Sequence, residues 1–107
     1  NDISISGGEN IASREVEAVI SLLDNVKQVA VVGIADQKWG ERVCAMVERV
    51  DQQLAEPSKA KVISQCRDQL AGYKSPKLVL FDRLPVNANG KIDKQKVKCV
   101  FTYQENS

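Results

Sequence analysis

Apolar positions along this chain follow two different repeats, and the points where one gives way to the other mark its elements. Ile3 and Ile5 alternate with Ser4 and Ser6, a period of two that predicts a short strand over Asp2–Ser6 with one face buried. Gly7-Gly8 ends that pattern and lets the backbone bend and be approached closely. Val16, Val19, Ile20 and Leu23 then recur at helical spacing, predicting a helix from about Arg14 to Leu23 with Ser13 as its N-cap. Glu15 and Glu17 suit the dipole of its first turn, and Glu17 reads as a charge on a solvated face. Asp24-Asn25 breaks the helix. The near-continuous run Val29-Ala30-Val31-Val32 within Val26–Gly33 predicts a central strand covered on both faces, the core of the sheet.

A loop over Gly33–Gly40 carries Asp36 and Trp39, the latter read as a lid on the core or, alternatively, a ligand platform. From about Glu41 to Val50, Val43, Ala45 and Val47 alternate with Cys44, Met46 and Glu48, which predicts another strand. Asp51–Pro57 is polar and reads as a tolerant loop. Ser58 can cap a helix over Lys59–Ala71, with Val62, Ile63, Cys66 and Leu70 on one face and Gly72 at its end. Tyr73-Lys74-Ser75-Pro76-Lys77 is an extended connector into a strand at Leu78–Phe81. Beyond a turn ending at Lys91, Asp93–Phe101 predicts a lysine-rich helix, and Thr102–Ser107 a frayed end. The expected fold is therefore α+β: a small sheet covered by helices, with an N-terminal strand and a lysine-bearing turn near the C-terminus.

Composition narrows the function classes. The chain has 107 residues, 43% hydrophobic and 27% charged, which is one globular domain with a modest core. Its formal net charge of +1 excludes a general polyanion binder, so any recognition of phosphate must be local. Cys44, Cys66 and Cys99 are widely spaced, with no CxxC and no histidine, which argues against a disulfide framework, a metal site or a catalytic triad within the chain. No apolar run is long enough to span a bilayer, and a soluble, cytoplasmic protein is the expectation.

Candidate chemistry concentrates in Leu84-Pro85-Val86-Asn87-Ala88-Asn89-Gly90-Lys91-Ile92-Asp93. Pro85 fixes φ, Asn87 and Asn89 tolerate turn geometry and Gly90 permits φ > 0, so a tight turn should hold Lys91 at its tip. Such a lysine can meet phosphate or carboxylate oxygens as a compact cation; an ordinary surface hairpin ending in lysine is the competing account. The places that a P-loop reserves for its leading glycine and its Ser or Thr hold Pro85 and Ile92, which excludes that motif. In the connector, Tyr73 could stack on a flat ring while Lys74 and Lys77 meet phosphates, or the segment is simply a helix exit closed by Gly and Pro.

Taken in order, Ile5-Ser6-Gly7-Gly8-Glu9-Asn10-Ile11 with Glu15-Val16-Glu17, then Val31-Val32-Gly33-Ile34-Ala35-Asp36 with Trp39-Gly40-Glu41, then Tyr73-Lys74-Ser75-Pro76-Lys77, then Leu84-Pro85 through Asn89-Gly90-Lys91-Ile92 resemble the C-terminal domain of the adenylate-forming enzymes. That family includes acyl-CoA synthetases, aryl-CoA ligases, luciferases and the adenylation domains of peptide synthetases. The resemblance covers Asp2 to about Lys98. It implies that residues 1–107 are a small C-terminal lid domain, that the large N-terminal domain holding most of the ATP and acid pocket is absent from this chain, and that Asp2 is the hinge. It also implies a two-step reaction: a carboxylic acid attacks ATP to give an acyl-adenylate, and a thiol, usually that of CoA, takes the acyl group.

Within that resemblance Lys91 matches the lysine of the adenylation step, and Gly7 and Gly8 match the loop that gives the CoA pantetheine arm its path. Tyr73, Lys74 and Lys77 match a stretch that meets the nucleotide end of CoA, with Ser75 where a basic residue is often found. Glu15 matches a glutamate that orders the glycine loop. The implied partners are the chain's own N-terminal domain, a small carboxylic acid, and lysine acetyltransferases and deacylases acting at Lys91; nucleic acid is not among them. The glycine-loop form favours an acyl-CoA or aryl-CoA ligase over an amino-acid-activating domain that serves a carrier protein. A stand-alone binding module is the alternative from another class. By itself, a domain of this kind is expected to fold but to be catalytically silent.

Overall fold

The computed structural model describes residues 11–36, 40–71 and 74–105. Three helices and three strands follow in the order α1 (Ile11–Ser21), β1 (Val26–Asp36), β2 (Gly40–Arg49), α2 (Lys59–Gln69), β3 (Leu78–Phe81) and α3 (Lys94–Glu105). The strands form one sheet in the order β1-β2-β3, with β1 antiparallel to β2 and β3 parallel to it. The α+β fold expected from the sequence is thus present. The expected strand over Asp2–Ser6, Gly7-Gly8, Trp39 and Tyr73 lie outside the described residues.

Alternation along the paired strands sorts side chains into two cores. Val29, Val31, Ala45, Val47 and Val79 face one way and pack with Val16 and Ile20 of α1 and Val62 and Cys66 of α2. Ala30, Val32, Cys44 and Met46 face the other way and pack with Leu84 and with Val97 and Phe101 of α3. Because helices cover both faces, the strands have little need for polar residues in either register. The register follows from this, since Val31 opposite Ala45 and Val32 opposite Cys44 put like with like on each face.

Several sequence expectations require correction. The central strand among the described residues is β2, with β1 at an edge. A continuous apolar run reports two covered faces, and β1 has them; it carries no information about neighbours along the hydrogen-bonding direction. Glu17 is not a solvated end charge: its Oε2 accepts from the Val31 N–H at 2.9 Å and meets Lys94 Nζ of α3 at 2.6 Å, with its side chain 19% exposed. The carboxylate therefore satisfies a β1 edge donor that β2 does not reach.

The remaining differences are in element ends. α1 begins about one turn earlier than its cap signal implied, so Ser13 lies inside the helix and is buried. β1 continues through Gly33 to Asp36 rather than opening into a loop. Glu41 lays its side chain across Gly33, where a Cβ would oblige the carboxylate to swing aside. α3 runs on to Glu105, since Thr102–Glu105 contains neither Gly nor Pro to stop it. Residues 51–57 are tied down at several points: Asn25 Nδ2 donates to the carbonyls of Asp51 and Glu56, and Arg49 Nη2 to those of Ala55 and Pro57. Ser58 caps α2 as expected, accepting from Lys61 N–H at 3.1 Å.

Candidate functional site

The segment from Leu84 to Asp93 is a narrow hairpin whose hydrogen bonds account for its sequence. Leu84, buried in the α3-side core, anchors its base. Pro85 has no N–H to satisfy, and its carbonyl accepts from Asp93 N–H at 2.9 Å. Val86 bridges Ile92 in antiparallel fashion, and Asn87 N–H donates to the Lys91 carbonyl at 2.8 Å. At the tip, Asn87 Oδ1 accepts from the N–H groups of Asn89 and Lys91 at 2.8 and 3.1 Å, while Gly90 adopts φ 81°. No atom lies within 4 Å of a Cβ built on Gly90, so glycine is required there for its conformation and not for space. Asp93 closes the hairpin and opens α3, its Oδ1 accepting from Lys96 N–H at 3.2 Å.

Lys91 is exposed at this tip, and among the described residues its ammonium meets no carboxylate. Both competing sequence accounts required a rigid turn, and a rigid turn is present. What distinguishes this one from a generic hairpin is its base. Glu48, 5% exposed and on the α3 side of β2, accepts from Leu84 N–H at 3.0 Å and from Gln28 Nε2 at 2.9 Å, both on Oε1. Its Oε2 lies 3.5 Å from Lys27 Nζ. Burial works against the charge on Glu48, but the hydrogen bonds from Gln28 and Leu84 and the Lys27 ammonium outweigh it, and its pKa lies below the ordinary carboxylate value. Sequence reasoning gave Glu48 no role. The signal was available, because a carboxylate continues the inward-facing series Cys44, Met46, Glu48.

The connector residues stand elsewhere. Lys77 is exposed and its N–H donates to the Val43 carbonyl at 2.7 Å, joining the connector to β2. Ser75 is buried, and its hydroxyl has no hydrogen-bond partner among the described residues, so it faces inward. Lys74 Nζ forms an ion pair with Glu15 Oε1 of α1, bringing together two residues that the sequence singled out separately. Lys74 also lines a cavity of about 290 Å³ with Ser13, Val16, Gly33, Glu41 and Val43. Gly7, Gly8, Tyr73 and Asp2 belong to the undescribed residues.

Lys91 does not converge with Lys74 and Lys77. The connector enters β3 at its N-terminal end and the hairpin leaves at its C-terminal end, about 13 Å away for a four-residue strand. They also differ in face, the hairpin base packing on the α3 side and the Lys74 cavity opening beside α1. The molecule thus carries two cationic stations, at opposite ends of β3 and on opposite faces of the sheet.

Comparison with known proteins bears on both stations. The model of the AMP-binding enzyme C-terminal domain matches residues 15–91. The chain is 42% identical over 99 residues to the 2-succinylbenzoate–CoA ligase of Listeria monocytogenes, covering 92% of this chain and 20% of that protein. It is 45% identical over 92 residues to a long-chain-fatty-acid–CoA ligase of Mycobacterium tuberculosis, covering 85% and 18%. Among solved structures, the amide bond synthetase McbA from Marinactinospora thermotolerans superposes with a TM-score of 0.79 at 38% identity, over 88% of this chain and 19% of that one. The chain spans about a fifth of the length of the curated relatives it matches. The family match opens on Glu15, the partner of Lys74, and closes on Lys91, so it takes in both stations and the whole sheet between them: this chain belongs to the AMP-binding enzyme C-terminal domain family.

Proposed function

We propose that the chain is the small C-terminal domain of an ATP-dependent, AMP-forming acyl-CoA ligase acting on a fatty or aryl acid, preceded in the longer protein by a large domain that holds most of the acid and ATP. Lys91 is its adenylation lysine. The observation that carries this reading is the exposed ammonium of Lys91, held out on a rigid hairpin with no carboxylate against it among the described residues. A cation so placed suits anions supplied from outside the domain.

The chemistry asks for such a cation. ATP supplies an α-phosphorus open to attack by a carboxylate, and two unit charges 4 Å apart repel by about 4 kcal/mol at an effective dielectric near 20. An ammonium between the two holds them in line and stabilises the charge that develops as the bond forms. Thioester formation brings in a neutral thiol and has less use for it. The second station then takes over, with Gly7 and Gly8 along the pantetheine arm and Tyr73, Lys74 and Lys77 toward the nucleotide of CoA. Lys77 is exposed to an approaching phosphate, and Lys74 must exchange its pairing with Glu15 to meet one. Two stations at opposite ends of β3 suit a domain that rotates about Asp2 between half-reactions. CoA is assigned as acceptor on the likeness to two CoA ligases, and the similar likeness to an amide bond synthetase makes an amine the second reading.

The test is Lys91→Ala in the full-length enzyme. Pyrophosphate release from acid and ATP should fall by about 100-fold or more, while thioester formation from supplied acyl-adenylate stays within about threefold, being less than 1 kcal/mol. Equal loss of both steps would overturn the assignment. Offering CoA and a primary amine in turn to the preformed adenylate identifies the acceptor.

A further inference from the structure

We infer that Glu48 is a positioning residue for adenylation: it pins the base of the hairpin that carries Lys91 and so sets where the ammonium can reach. The inference rests on the role proposed for Lys91. It is carried by a continuous series of hydrogen bonds. Glu48 Oε1 accepts from Leu84 N–H; the next residue, Pro85, pairs with Asp93; Val86 bridges Ile92; and Asn87 pairs with Lys91. Each step adjoins the next along the two arms of the hairpin, from the buried carboxylate to the tip.

The Glu48 carboxylate is itself fixed. Gln28 of β1 donates to the same oxygen at 2.9 Å and Lys27 stands over the other, so β1 aims a β2 side chain at the hairpin base. The reach from Leu84 to the tip is about 10 Å, three extended residues, so a tilt of about 10° at the base moves the lysine by nearly 2 Å. Displacements of about 1 Å at a reacting centre can lower rate by about 100-fold. A buried carboxylate holding one backbone N–H can therefore govern a reaction it never touches.

The experiment measures both half-reactions in the full-length enzyme. Glu48→Leu keeps similar bulk and removes the acceptor. It should lower kcat for adenylation at least tenfold, leave KM for ATP and acid within about twofold, spare thioester formation from supplied acyl-adenylate, and speed amide exchange over residues 84–93. Glu48→Gln retains an acceptor oxygen for Leu84 and should recover most of the rate. Unchanged adenylation in Glu48→Leu, or an equal fall in both half-reactions, overturns the inference. Should Glu48→Leu not fold, Gln28→Ala loosens the aim of the carboxylate and must show the same selective loss in weaker form; its absence is equally decisive. The two readings fail separately: if Lys91→Ala spares adenylation, the role of Lys91 falls, whereas an effective Lys91→Ala beside an ineffective Glu48→Leu removes only the positioning role.

Discussion

Asn25 adopts φ 68°, in the left-handed region that residues with a Cβ usually avoid, and its side chain explains why it is tolerated there. Nδ2 donates to two carbonyls of the following loop and Oδ1 accepts from Asp51 N–H at 2.8 Å, so one residue turns the chain into β1 and also holds residues 51–56. Asn25→Gly keeps the conformation and loses those bonds, for about 2 kcal/mol of stability; Asn25→Ala adds the left-handed penalty, about 1 kcal/mol more. Urea titration of both variants checks the order, and an alanine variant as stable as the glycine one would sink the backbone argument. Cysteine reactivity separates equally well by site. Burial pushes the Cys66 thiol up to about 11, and Cys44 is also buried, whereas Cys99 is exposed on α3. Titration with a thiol reagent at neutral pH should therefore modify Cys99 quickly and the other two only with unfolding.

Among the elements, α1 and α3 lie on opposite faces of the sheet and yet meet through Glu17 and Lys94 around the edge of β1 that faces away from β2. The two partners are not equivalent. Glu17→Ala removes the carboxylate that serves both the Val31 N–H and the largely buried Lys94 ammonium and should cost about 4 kcal/mol, whereas Lys94→Ala leaves the hydrogen bond intact and should cost about 2 kcal/mol. A double-mutant cycle read by urea denaturation measures the pair, and equal single-variant losses would show that the edge donor is of no consequence. This contact also marks how far the sequence was legible. The alternation in β2, the cap at Ser58 and the hairpin at Gly90 were readable because each is set by residues within a few positions of one another. The edge position of β1, the ion pair of Glu15 with Lys74 and the grip of Glu48 on Leu84 were not, because they join residues 59 and 36 positions apart that only the packed sheet brings together. The tip lysine could thus be singled out from sequence, and the residue that supports it could not.

For the whole molecule, the same carboxylate links hairpin geometry to acid stability. A three-stranded sheet between thin helical layers leaves a small domain with a modest margin, so one group held more tightly as an anion in the folded state changes its pH response visibly. The folded pKa of Glu48 is depressed below the ordinary glutamate value of 4.5. The unfolded chain therefore binds the proton more readily, and the stabilisation from the ionised group is fully present above the unfolded pKa. It is lost as pH falls through the lower folded value, where both states become protonated. Glu48→Gln cannot titrate and lacks this contribution at every pH. Unfolding free energies measured from pH 7 to pH 3 should consequently show wild type above the variant at neutral pH and the two curves drawing together below about pH 4.5. Parallel curves would mean that Glu48 gains nothing from its ionised state in the fold, whereas curves that separate on acidification would reverse the sign of the shift.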